Sequence, residues 1–554
     1  MKQVEIFCKN TQSSHQYPLG TSLLEISYDL NIKLESRICG AIVNNQVREL
    51  SFCIVKPKQI EFFDNSHPDG NRFYIRSLVF VLYAAVKEVF PEVSLRIQNG
   101  ISNGYFFDMN GLDRPVTESD VFTISQEMKS IISRDIHFVK RSMLTTEAVA
   151  LLEQQGLKDK ALLFSQQGQL YSELYFLNDL ANYFYGNLLP STGYLSNFGL
   201  IPYYDGILLQ TPKPKNLDKL HKVTERKKLF GIFQEQKEWA EIMKISTIGR
   251  LNKFTMKQRS GDVIKVSEAL HEKKIAEIAN MIHARNGDLK IVLVSGPSSS
   301  GKTTFSKRLG VQLIVNGLIP HQISLDDYFV DREHTPVDEF GEYDFEALEA
   351  IDVEFFNQQL NELLEGKEIE IPGFDFQTGK RKKSGKKLKL GSNDVVVVEG
   401  IHGMNPGLLP HIERKYTFSI FISALTQIAF DEQTHISTAD NRLIRRIIRD
   451  SKYRGYPAWE TIKRWPSVRR GEEKNIFPHQ ENADVMFNSA TLYELAVLKK
   501  YAEPVLKHVE ENRPEYVEAS RLLKFLSWFK QIDDKEIPPT SLLREFLGGS
   551  SFTY

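Results

Sequence analysis

Lys290-Ile291-Val292-Leu293-Val294-Ser295-Gly296-Pro297-Ser298-Ser299-Ser300-Gly301-Lys302-Thr303-Thr304 decides how this chain is read. The β-branched run Ile291 to Val294 has the composition of a buried strand. From Gly296 to Thr303 the residues fit G-x-x-x-x-G-K-[ST] at every specified position, and a helix is expected to start near Lys302. In such a loop glycines let backbone N–H groups close around phosphate oxygens, and the following helix adds its positive end. Lys302 is expected to hold the β- and γ-phosphates and Thr303 to give its hydroxyl to Mg²⁺. A plain Gly/Ser turn would not bring strand, loop, lysine, hydroxyl and helix in this order.

Working outward, apolar strands recur at His321 to Leu325 and Asp394 to Val398, separated by helical segments. That is the pattern of a doubly wound parallel sheet, in which ligands bind beyond the carboxyl ends of the strands. Acids at those ends are therefore candidates. Glu399 closes the Asp394 strand before Gly400 and could orient magnesium. Asp326 and Asp327 follow Leu325, and one of them could accept the proton of an attacking hydroxyl. Arg442, Arg445, Arg446 and Arg449 recur at helical spacing, which would place planar cations where charge develops as a phosphoryl group transfers.

The chain has 554 residues, 41% hydrophobic and 25% charged, which excludes collagen-like and largely disordered proteins and predicts several domains. Lys+Arg (70) against Asp+Glu (71) excludes a uniformly basic nucleic-acid binder. The balance is a cancellation: residues 380–389 and 441–474 each carry plus 7, and the remainder carries minus 15. The first of these segments reads as a solvated turn. Three cysteines, Cys8, Cys39 and Cys53, show no C-x-x-C spacing. The start lacks a signal-like apolar stretch, and the longest apolar run, Leu78 to Val86, is half a membrane span, so a cytoplasmic protein with no membrane role is expected.

The P-loop, Ser324-Leu325-Asp326-Asp327-Tyr328-Phe329, Tyr343-Asp344-Phe345, Ile371 to Phe376, Val398-Glu399-Gly400 and Asn441 to Asp450 together resemble the uridine kinase and phosphoribulokinase family over about 288–490. The resemblance implies ATP as phosphoryl donor, Mg²⁺ as cofactor and a small-molecule alcohol, best a nucleoside, as acceptor. It assigns Asp326 as general base, with Lys302, Arg446 and Arg449 completing the catalytic set. It assigns nucleotide contacts to Gly296, Pro297, Ser298, Ser299, Ser300, Gly301, Lys302, Thr303, Thr304, Arg449, Arg454 and Asp484. Substrate contacts fall to Asp326, Tyr328, Asp344, Phe374, Phe376 and Arg446, and magnesium contacts to Thr303 and Glu399. Phe374 and Gly379 stand where uridine kinases present a tyrosine and a histidine to the pyrimidine, and Tyr456 and Arg464 replace a lid arginine and a glutamine.

Residues 1–63 read as short strands around one helix, with a capping box at Ser22 and Glu25, and resemble the TGS β-grasp module. Residues 70–225 resemble the second additional domain of threonyl-tRNA synthetase, on Asn103 to Asp108, Pro115 to Asp120, Glu127-Met128 and Pro190 to Gly193. That domain's metal-ligand positions are matched here by Arg76, Phe80, Phe184 and Leu188, none a usual zinc ligand.

The expected fold is therefore multidomain α/β and α+β. The TGS-like domain (1–63) and the synthetase editing-domain-like α+β region (70–225) precede a connecting region (226–287), in which Val266 opens a helix to about Arg285. A P-loop NTPase doubly wound parallel sheet (288–490) and a C-terminal helical extension (491–554) complete it. The expected function is an ATP- and Mg²⁺-dependent kinase of the ribose 5′-hydroxyl. Alternatives are a kinase for a sugar, polyol or other small alcohol, and an RNA-binding regulatory protein with a nucleotide switch. Val266 to Lys274 and Leu543 to Gly549 accompany this domain order without an assigned role.

Overall fold

The computed structural model describes residues 2–285, 288–375 and 378–553. The P-loop strand Ile291–Ser295 is the centre of a five-stranded, wholly parallel sheet. Its spatial order is Ile319–Ser324, Asp394–Gly400, Ile291–Ser295, Thr417–Ser423, Val485–Asn488. All five residues of the central strand are buried. Their alternation divides two cores, Ile291 and Leu293 facing one with Leu325 and Phe356, and Val292 and Val294 facing the other with Phe305 and Leu309. Burial on both faces is what a β-branched run without polar alternation requires.

Several expectations need correction. The sheet has two strands beyond the three read from apolar runs: Thr417–Ser423 is broken up by serines, and Val485–Asn488 has only four residues. The helix expected from Val266 runs Ser260–Ala284, because Ile264 and Val263 already pack on its buried side. The basic stretch read as a turn is strand Lys380–Leu388, paired antiparallel with Ile369–Asp375. This hairpin stands outside the main sheet, and its lysines project into solvent on a ribbon.

At the other end of the chain, a five-stranded sheet carries helix Leu23–Asp29, entered through the Ser22/Glu25 capping box. Strands Gln3–Cys8 and Lys58–Phe63 run parallel at its centre. Next comes the 22-residue helix Pro68–Val89, which buries the Leu78 to Val86 run. It is followed by a four-stranded sheet, a three-stranded sheet and helix Glu118–Ser133, whose capping box is Thr117/Asp120. No helix among the described residues is long and apolar enough to cross a membrane.

The largest apolar core is shared. Phe80, Phe184 and Leu163 join Leu443, Ile444 and Ile447 of helix Thr438–Arg449, and Leu498, Phe525 and Phe546 of the C-terminal helices. The segment 428–436 wedges Ile428, Phe430 and Ile436 into it. Its Glu432 carboxylate accepts from the Asp159 and Lys160 backbone N–H groups at 2.5 and 3.1 Å, and its carbonyl accepts from Ile97 N–H at 2.7 Å. Lys160, itself inaccessible, pairs with equally inaccessible Asp431 at 3.6 Å.

Candidate active site

The P-loop leaves the central strand at its carboxyl end. Gly296 is required there, since a Cβ would lie 2.1 Å from the Ile422 carbonyl oxygen. Gly301 takes φ +85° and Ser299 φ +59°, the left-handed turns that direct successive N–H groups inward. Pro297 closes the loop from behind, its carbonyl accepting from Lys302 Nζ at 3.1 Å. The hydroxyls of Ser299 and Ser300 are buried without a hydrogen-bond partner, which suits a loop built around a polar ligand. Helix Lys302–Val315 begins immediately beyond.

Acids and cations meet at this loop. Thr303 Oγ1 donates to Glu399 Oε1 at 3.0 Å. Burial pushes the Glu399 carboxyl up to about 7, with Lys302 opposing and Asp326 adding to the rise. Asp326 lies in the tight turn Leu325–Tyr328, its N–H donating to Ser324 Oγ at 3.3 Å. Its tip is open to solvent, yet the cleft around it displaces bulk water and raises its carboxyl pKa, against the pull of Lys302, Arg454 and Arg449. Burial lowers the Lys302 ammonium pKa, while Glu399, Asp326 and Glu545 counter it. Thr303, Glu399 and Asp326 offer hard oxygen donors of the kind Mg²⁺ takes.

The four helical arginines divide. Arg446 donates from Nη1 to Ser298 Oγ at 2.9 Å, and Arg449 grips Asp450 Oδ1 at 2.9 Å beside Arg454. Arg454 sits in a π-turn, Asp450–Arg454, that follows the helix. Arg442 and Arg445, by contrast, are fully enclosed and paired with Glu472 and Glu494. Their expected place beside the transferring group is corrected to a structural one, because an enclosed guanidinium is held by its buried carboxylate. Glu472 also accepts from Ser298 N–H at 3.0 Å, so the pair braces the loop.

Two further assignments are corrected. Tyr328 is inaccessible, its hydroxyl donating to Gln359 Oε1 at 2.7 Å and its ring edge-on to Phe356, so it supports the turn instead of meeting substrate. Asp484 lies at the opposite end of its strand from the loop side. Its Oδ2 accepts from Ser419 N–H and Oγ, and Arg285 and Arg414 neutralise it, so it closes the sheet edge instead of binding nucleotide.

On the acceptor side, Asp344 is half-buried and accepts from Glu346 N–H at 3.1 Å. Glu346, which sequence reading passed over, has its carboxyl pushed up to about 7 by burial, opposed by Arg446. The Phe374 ring packs 5.7 Å from that of Phe329. Phe376 lies outside the described residues. Gly379 takes φ +70°, and a Cβ there would lie 2.8 Å from Arg332 Cβ. Arg464 covers the Tyr456 ring at 4.7 Å.

The N-terminal positions compared above with metal ligands are packed. Phe80, Phe184 and Leu188 are buried, the two rings 5.4 Å apart, and the Arg76 guanidinium lies against the backbone of Gly186.

Residues 291–496 match the model of the Phosphoribulokinase / Uridine kinase family, so the C-terminal part of the chain carries a domain of that family. The N-terminal part is similar to threonine–tRNA ligases. That of Polynucleobacter asymbioticus is 30% identical over 194 residues, 34% of this chain and 30% of the ligase. That of Desulforamulus reducens is 26% identical over 217 residues, 39% and 34% of the two chains. The chain thus spans about a third of the length of these relatives. Among solved structures, a possible uridine kinase from Bacillus stearothermophilus aligns with TM-score 0.27 and 21% identity, over 39% of this chain and 98% of that one. A D-glycerate 3-kinase from Cryptococcus neoformans aligns with TM-score 0.21 and 16% identity, over 48% and 89%.

Proposed function

We propose that this protein transfers the γ-phosphoryl group of ATP to a hydroxyl of a small alcohol, best the 5′-hydroxyl of a nucleoside. The observation that carries this reading is the convergence of Lys302, the Thr303–Glu399 pair, Asp326, Arg446 and Arg449 beyond the carboxyl ends of the parallel strands. Asp326 takes the proton of the acceptor hydroxyl as its oxygen attacks the γ-phosphorus. The bond to the β–γ bridging oxygen breaks and ADP departs. A carboxyl with a raised pKa is a stronger base for that proton. Lys302 and the two arginines hold the oxygens on which charge gathers, and Asp344 orients the acceptor. Mg²⁺, held by Thr303 and Glu399, would neutralise the phosphates and keep them aligned.

A second reading, a sugar or polyol as acceptor, is favoured by Gly379 and Phe374. Gly379 has no room for a side chain against Arg332, and Phe374 has no hydroxyl to offer a base. A site without those donors loses the hydrogen bonds by which bases are told apart.

ADP release measured over ribonucleosides, pentoses and polyols, with Lys302→Ala as the blank, tests both. Turnover of a nucleoside supports the first reading, and turnover confined to pentoses or polyols supports the second. No Lys302-dependent turnover with any alcohol would sink both.

A further inference from the structure

The C-terminal segment Leu543-Arg544-Glu545-Phe546-Leu547-Gly548-Gly549 has no role in the chemistry above, yet it ends at the P-loop helix. Glu545 Oε2 accepts from Thr304 Oγ1 at 2.7 Å and from the Thr304 backbone N–H at 3.3 Å. Thr304 is the third residue of helix Lys302–Val315. The first N–H groups of a helix have no partner inside it, and in this loop type they are the donors that cradle a nucleotide's phosphates. A carboxylate is the side chain closest in charge and acceptor geometry to a phosphate oxygen. It is close enough for its charge to act on both Lys302 and Glu399.

The same segment also holds the arginine-bearing element. Phe546 and Leu547 are buried, and the Arg445 guanidinium lies 5.1 Å from the Phe546 ring centre. Lys452 Nζ, in the π-turn between Arg449 and Arg454, donates to the Leu547 carbonyl. Gly548 takes φ +87°, and a Cβ there would lie 2.4 Å from Lys452 Nζ. On the other side the tail is tied down by Ser541 Oγ, which donates to buried Glu268 at 2.6 Å, and by Arg544 on Asp534 at 3.0 Å. Glu268 belongs to the Val266 to Lys274 stretch, which has no part in the chemistry above.

We propose that Glu545 is a tethered stand-in for a nucleotide phosphate. It occupies the Thr304 donors when no nucleotide is bound and gives them up when the phosphate chain enters. Two anions cannot share one N–H and one hydroxyl, so binding expels the carboxylate. Because Leu547 is held by Lys452, that expulsion loosens the tail from the segment that carries Arg449 and Arg454. The proposal rests on the nucleotide-binding reading of the P-loop.

The test combines equilibrium binding of MgADP and MgATP to full-length wild type, Glu545→Ala and Glu545→Gln with hydrogen exchange of wild type with and without MgADP. Glu545→Ala should bind about tenfold tighter than wild type, the change expected if the carboxylate fills the site about nine times in ten. Glu545→Gln should fall between. In wild type, peptides covering 541–549 should exchange faster once MgADP is bound. Unchanged or weaker binding by Glu545→Ala, or protection of 541–549 by MgADP, would mean that Glu545 is a permanent helix cap and would overturn the proposal. Exchange needs only wild type, so a variant that does not fold leaves the proposal open to refutation. If wild type and variant both bind neither nucleotide, the P-loop reading fails and takes the proposal with it; wild-type binding without tail release removes the proposal alone.

Discussion

At Asp326 the proposed role turns on one ionisation. The cleft displaces bulk water around it and raises its carboxyl pKa above the ordinary value, while Lys302, Arg454 and Arg449 hold it down. The base form is the ionised one, so kcat/KM should fall as pH drops through this raised value. Asp326→Asn should lower kcat by about 10²- to 10⁴-fold with ADP binding retained, as steady-state kinetics and calorimetry would read it. Glu399 makes the opposite demand on stability. Its carboxyl is at about 7 in the fold against an ordinary 4.5, so the folded state binds the proton more tightly. Stability then falls as pH rises from 4.5 through 7. Glu399→Gln should therefore raise Tm at pH 8 by about 2–4 °C, the size of a ~1 kcal/mol change, with the gain shrinking toward pH 5. A Tm unchanged at pH 8 would contradict the raised carboxyl.

The helix Thr438–Arg449 shows what spacing can and cannot tell at the level of an element. Arginines at 442, 445, 446 and 449 mark a helix, and a helix is what forms. Which of them reach the phosphate side depends on Glu472 and Glu494, carboxylates 30 and 49 residues further along the chain. Those partners enclose Arg442 and Arg445 and leave Arg446 and Arg449 to the cleft. Removing one partner of an enclosed pair strands a buried charge, so Glu494→Ala should cost about 3–5 kcal/mol in denaturant unfolding. Arg449→Ala should leave unfolding within about 0.5 kcal/mol and lower kcat instead. Tyr328 and Asp484 make the same point: each sits at a motif position, and each is taken up by a neighbour, Gln359 or Ser419, that only the folded chain brings near.

Across the whole molecule, the synthetase-like part and the kinase-family part are not beads on a string. The wedge 428–436 follows strand Thr417–Ser423 and leads directly into the arginine helix, and its Asp431 and Glu432 are anchored on Lys160 and its neighbours. A second tie joins Asp440, near the start of that helix, to Arg521 through two hydrogen bonds of 2.7 and 2.8 Å, with Glu518 and Arg72 alongside. With one apolar core shared between them, the two parts are expected to unfold together. Asp431→Ala leaves the Lys160 ammonium buried without its acid, so it should cost about 3–5 kcal/mol and resolve a single calorimetric transition into two. A single transition at unchanged Tm would show that the wedge carries no coupling.

The sequence by itself determined the local chemistry: the P-loop, the strands of continuous apolar residues, the capping box at Ser22, and the acids at strand ends. These depend on neighbours within a few residues, where backbone geometry and side-chain type leave little choice. Tertiary structure alone decided which arginines face the cleft, that the basic stretch from Lys380 to Leu388 is a strand, that three separate segments share one core, and that Glu545 ends on Thr304. Each of these is a contact between residues far apart in the chain, set by which buried charges and apolar faces find one another on folding, and no periodicity within a segment encodes its distant partner.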